Sequence, residues 1–294
     1  MLPSWPMLLV ITTIITRILP CVPSSSALPQ LRYAPQHVHD KCPRSKNASS
    51  RVLLSITTTL HIPGKHHFVR EALSSLITHH PDHASIIGRW LLINEYSESN
   101  QDEVKLMLQH LKASFPFLEI IQKSPYDQGQ PKSLNIILRE LRSGDFLYWL
   151  HIEESWRTVR PFLEWSIDFL NGHRYLHQLQ LYQAAYYSSH THTRITEDVE
   201  VIALDSHIDL TGVDPRDWRA YSLKWPSYSL RPSLTQVSFI KGNPHLIFNA
   251  HPEWFPVVFE FDFSIQWQLS GGSMCAVNQE AVVRQEGHTS TYVL

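Results

Sequence analysis

The chain has 294 residues, 43% of them hydrophobic, enough to bury one large core or two small ones. Its 25 Lys and Arg nearly balance 27 Asp and Glu, so no overall field recruits nucleic acid or an acidic membrane surface. Three cysteines exclude a disulfide-dense scaffold, and the 18 histidines show no zinc-site spacing, although His66-His67 and His79-His80 stand as pairs.

In residues 1–27 the apolar run Met7–Ile15 is too short to span a bilayer, and the small residues Ser25-Ser26-Ala27 follow it. This is the pattern of a secretory signal cleaved near Ala27; a retained signal anchor and a cytosolic apolar extension are the other readings. Residues 28–50 form a polar extension with a glycosylation sequon at Asn47, consistent with passage through the endoplasmic reticulum or Golgi lumen, or with secretion. Without the leader only Cys42 and Cys275 remain, and they could form one bridge.

From residue 51 to 294 strands and helices alternate as a single domain. Val52–Thr59 is an apolar, β-branched strand ended by His61-Ile-Pro-Gly64, and His66–Thr78 has helical periodicity. Ile86–Ile93 is the second strand, Glu103–Ser114 a helix, Leu118–Ile121 a short strand. After the turn-rich loop Ser124–Pro131 comes the helix Lys132–Arg142, stopped at Gly144. The stretch Phe146–Trp156 then runs as a buried strand into two adjacent carboxylates, Glu153 and Glu154. Four strands separated by helices argue for a mostly parallel sheet with right-handed crossovers, whose ligands collect outside the carboxyl ends of the strands.

Downstream, Thr158–Leu170 reads as a helix, and Leu176–Tyr187 and Val199–Leu204 as further strands. Pro215–Pro232 is rich in Trp, Tyr and Pro, an irregular part that either folds over the sheet as a binding face or packs as ordinary aromatic core. In Val257–Trp267 aromatic and acidic residues alternate, so in strand geometry Glu260 and Asp262 share one face. There is no internal repeat and no glycine-rich phosphate loop.

Taken in order, the strand end Ser55–Thr59, the turn Asn94-Glu95-Tyr96-Ser97, the segment Gln128–Asn135 and the acidic turn His151–Trp156 resemble the landmarks of the family-2-like glycosyltransferases of the GT-A fold. Tyr228–Ser233, Phe259–Phe263 and Gly287–Tyr292 are similar to the downstream half of one branch of that family. The resemblance implies a hexosyl transfer from a nucleotide-diphospho-sugar to a glycan, protein or lipid acceptor, by family analogy with inversion. Thr58, Glu95, Ser133, Asn135 and Glu153 would then contact the donor. Glu153, Glu154 and His288 would hold Mn²⁺ or Mg²⁺ to neutralise the leaving diphosphate. Glu260, or failing that Asp262, would be the general base, its pKa raised in apolar surroundings.

The chain departs from the family where Ser155 stands for a second aspartate, where Asn94-Glu95 replaces two aspartates, and where Gly287-His288 inverts the usual order. A rival reading is therefore a catalytically degenerate module that binds a glycan or protein. A hydrolase with paired carboxylates fits less well, because adjacent glutamates on a strand point to opposite faces.

Overall fold

The computed structural model describes residues 52–183, 191–203, 210–221, 228–251 and 256–287. The apolar leader, Cys42, Asn47 and His288 lie outside the described residues, so the expectations placed on them stay untested.

Seven consecutive buried residues, Val52–Thr58, form strand β1. A strand covered on both faces reads as a continuous apolar run, and its side chains feed two separate cores. Leu54 and Ile56 pack with Val69, Leu73 and Leu76 of helix α1 (Lys65–His79), while Leu53 packs with Leu134, Ile137, Leu138 and Leu141 of helix α4 (Gln130–Ser143). Between them lie the one-turn helix α2 (His83–Ile86), strand β2 (Ile87–Asn94), helix α3 (Gln101–Ser114) and strand β3 (Leu118–Gln122). Strand β4 (Tyr148–His151) pairs with β1 on the side away from β2, and all three of these contacts along β3, β2, β1 and β4 are parallel.

Beyond β4 the sheet becomes mixed. Strand β9 (Ser233–Gln236) lies antiparallel between β4 and β6 (Gln178–Gln183). Then come β10 (Met274–Val277), parallel to β6, and the antiparallel β8 (Val199–Ala203) and β7 (Thr191–Arg194). The result is a mostly parallel α/β sheet of GT-A-like form, with helices on both faces.

Two expected elements are corrected. The helix read from Thr158 begins only at Leu163, as α5 (Leu163–Gly172); Trp156–Thr158 instead forms strand β5, antiparallel to β11 (Val282–Arg284). Pro161 accounts for the delay, since the residue before a proline is pushed out of helical conformation. The second correction concerns Val257–Trp267, which is not a strand but the body of helix α7 (Pro256–Leu269). Phe259, Phe263 and Trp267, spaced four apart, join the α4 core with α6 (Val237–Gly242), whereas Phe261 and Ile265 join a smaller cluster with Leu210. A helix buried on two sides carries aromatics at intervals of two as well as four.

Among the described residues Cys275 is a buried thiol that donates to the Gln178 carbonyl at 3.4 Å.

Candidate functional site

The carboxyl ends of β1, β2, β3 and β4 open on one edge, and the predicted site residues Thr58, Glu95 and Glu153 come to that edge with them. Their partners decide what each can do.

After β4 the chain turns through Glu153 and Glu154. The two carboxylates diverge. Glu154, buried, accepts from Lys65 Nζ at 2.6 Å, an ammonium at the first position of α1 that is itself only 2% exposed. Glu153 is partly buried and makes only long contacts, to Gln130 Nε2 at 3.5 Å and Trp156 Nε1 at 3.4 Å. Burial, reinforced by the nearby carboxylates Glu154 and Glu260, raises its pKa to about 7. The turn is fastened from the far end of the chain by Gln285. Its backbone N–H donates to the Ser155 carbonyl at 2.8 Å, and its side chain donates to the carbonyls of Phe68, Glu154 and Trp156.

These residues fit a divalent cation poorly. Among the described residues no three His, Cys, Asp or Glu side chains form a metal-binding group. An ion sharing Glu154 would stand a few ångströms from the Lys65 ammonium, and at an effective dielectric of ~20 two unit charges about 4 Å apart already repel by ~4 kcal/mol.

Beside β1, Ser55 Oγ accepts from Trp149 Nε1 at 2.7 Å and lies 3.1 Å from His151 Nδ1. With the Ser55 hydroxyl donating to Nδ1 the imidazole proton sits on Nε2, which is buried with no partner among the described residues. Burial lowers the His151 pKa to about 4, so the ring is neutral. Thr58 Oγ1 is likewise buried without a partner. By strand alternation Thr58 lies on the α1 face of β1 and His151 on the α4 face, so the two atoms are separate, and His151 Nε2, at the end of β4, is the one beside the acidic turn.

Glu95 is committed elsewhere. Lys123, whose side chain is fully buried, places Nζ 2.8 and 2.9 Å from the two Glu95 oxygens and 2.8 Å from both the Gly129 carbonyl and Ser133 Oγ. The Ser133 hydroxyl and the Gly129 N–H also donate to Glu95. Gly129 sits at φ 98°, a conformation that suits glycine, and this lets its N–H reach the carboxylate. Asn135, expected at the donor, instead clamps the backbone of Phe248, donating at 2.7 Å and accepting at 3.0 Å.

The two candidate bases part company because a helix sets residues two apart on opposite sides. Asp262 accepts from Asn249 and Gln266, away from the acidic turn. Glu260 is close enough to Glu153 to raise its pKa, and its Oε1 accepts from Leu230 N–H at 2.8 Å and Ser229 Oγ at 3.1 Å. Burial raises the Glu260 pKa against those two donors and Arg231, which lower it. The supporting segment is held by β6: Gln178 and Gln180 both donate to the Ser229 carbonyl at 3.0 Å, and Ser229 N–H donates back to Gln178 at 3.1 Å.

Sequence reasoning missed Lys65, Lys123, Gln285 and the β6 glutamines. Only Lys65 left a trace, as a cation at a helix start where an acid is favoured. The aromatic segment resolves toward core at its end, where Tyr228 and Leu230 are buried beneath α7.

No protein-family model matches the chain, and no curated protein matches it. Among solved structures 235 chains match, so the architecture is widely shared and does not by itself single out a substrate. One is S. aureus TarS, a GT-A-like glycosyltransferase, with a TM-score of 0.50 and 13% identity. The alignment covers 79% of this chain but only 36% of TarS, so the chain spans about a third of that protein's length. At that identity the likeness concerns the fold alone.

Proposed function

We propose that the chain is a glycosyltransferase that takes its sugar from a nucleotide-diphospho-sugar and passes it, with inversion, to a hydroxyl of a glycan, protein or lipid acceptor. One observation carries this reading: Glu260 of α7, far in sequence from the acidic turn after β4, lies close enough to Glu153 to raise its pKa, at the carboxyl edge of a GT-A-like sheet. Glu260 is the general base of the proposal. Both of its hydrogen bonds end on Oε1, leaving Oε2 for the acceptor proton, and a carboxyl whose pKa is raised by burial is a better base. His151 Nε2–H, at the end of β4 beside the acidic turn, would meet the donor's oxygens. Glu153, loosely held, would accept a sugar hydroxyl. Asp262 has no part in the step. No metal step is included, because the described residues do not suit one.

The second reading, a degenerate glycan- or protein-binding module, draws on a specific feature: Glu95, Ser133 and Asn135, three of the expected donor contacts, are engaged in internal hydrogen bonds. Thermal shift of the full chain with nucleoside diphosphates separates the two. A donor site gives stabilisation by one nucleotide that follows its concentration, and a binding module gives none. The lumenal route is proposed from the leader and the Asn47 sequon, and glycosidase-sensitive mass at Asn47 in protein from its native source tests it.

A further inference from the structure

The acidic turn contains a cation of its own. Lys65 is buried at the first position of α1, where desolvation opposes its charge and the helix dipole, positive at that end, opposes it again. Glu154, at 2.6 Å, offsets both. Gly64 immediately before it, at φ 85°, is the N-cap of α1. Evolutionarily cheaper ways of fastening a helix to a turn exist, and Gln285 already supplies one with three side-chain hydrogen bonds. The lysine therefore calls for a reason beyond fastening.

We infer that the Lys65 ammonium is the resident counter-cation of this site: it cancels the charge of Glu154, which would otherwise repel a diphosphate, so that a nucleoside diphosphate binds without metal. This rests on the donor reading above. Lys65 acts through Glu154 and through its field at the carboxyl edge of the sheet, and is a positioning residue rather than a catalytic one. The diphosphate itself then lies against His151 Nε2–H, which has no partner among the described residues. A consequence follows for the variant lacking the amine. Glu154, released beside Glu153, becomes an ordinary pair of carboxylates, and metal dependence should appear where there was none.

The test is calorimetric titration of the full chain with uridine, guanosine, adenosine and cytidine diphosphates, in EDTA and in Mn²⁺. The expected result is one nucleotide bound by the wild type with the same Kd in both buffers. Lys65→Met should weaken that binding in EDTA by about tenfold or more, and Mn²⁺ should restore it. Wild-type binding that requires Mn²⁺ overturns the inference and leaves the donor reading standing. So does a Lys65→Met variant that binds in EDTA as the wild type does, since the lysine is then a staple only. Absence of binding in either buffer overturns the donor reading and this inference with it. The wild-type comparison needs no variant and decides the matter even if Lys65→Met loses its cooperative melt.

Discussion

Replacing Lys123 by methionine removes the hub of the network at the ends of β2 and β3. The side chain is fully buried, and its ammonium holds both Glu95 oxygens, the Gly129 carbonyl and Ser133 Oγ, all within 2.9 Å. Burial lowers the Lys123 pKa while Glu95 opposes that, so the pair stands close to the balance between desolvation and attraction. Methionine fits the volume, yet it strands a carboxylate that is only 13% exposed. Removing one member of a buried pair costs about 3–5 kcal/mol, which in a domain of this size is a fall of roughly 6–20 °C in Tm. The assay is urea unfolding of Lys123→Met, Glu95→Gln and the double variant. The double variant should lose less than the two single losses together, because the stranded charge is gone. A single-variant loss below about 1 kcal/mol, or additive losses, would refute the account of this network as a desolvated, mutually dependent unit.

Three further outcomes are expected. Glu260→Gln should lower kcat by about 10²–10⁴-fold with nucleotide affinity unchanged, whereas Asp262→Asn should leave kcat nearly intact; steady-state kinetics of the two variants showing the reverse order would move the base to Asp262. Asn135→Ala should cost about 1–3 kcal/mol in thermal or urea melts, because it leaves the Phe248 backbone unpaired, and should not change nucleotide affinity; a loss of affinity without loss of stability would return Asn135 to the donor site. His80 is buried against Phe162 and its pKa is lowered to about 4, so the folded chain resists the proton that the unfolded chain accepts near pH 6.5. Stability contributed there is whole above pH 6.5 and falls by up to about 3 kcal/mol by pH 4. His80→Gln should flatten that limb of a stability–pH curve, and an unchanged slope would contradict it.

The parallel half of the sheet was legible because β1 and β4 are buried throughout, most of β2 is buried, and its helices have one apolar stripe, so the two periodicities change cleanly at His61–Gly64, Asn94 and Gly144. The acidic turn was legible for the same reason, as a break from apolar to charged at a strand end. What failed was non-local. Trp156–Thr158 becomes a strand only by pairing with Val282–Arg284, more than a hundred residues away, and no local signal announces that. In Pro256–Leu269 the alternation of Phe with acids matched a strand as well as a helix, and length was the better arbiter: 14 residues exceed an ordinary strand. Lys65 and Lys123 carry the electrostatics of the edge, but a lone lysine has no pattern, and their partners are set by the fold. Asn135 shows the converse limit. A residue type and position suited to a donor contact can serve a backbone clamp equally well.

The central claim is that the carboxyl edge of this sheet turns over a nucleotide sugar with Glu260 as base. The direct measurement is release of nucleoside diphosphate from a panel of nucleotide sugars by the full chain, with water or added sugars as acceptor, compared with Glu260→Gln. The account predicts release from one donor that is lost in Glu260→Gln while the nucleotide still binds. Release that continues unchanged in Glu260→Gln, or no release and no binding of any donor, would contradict it.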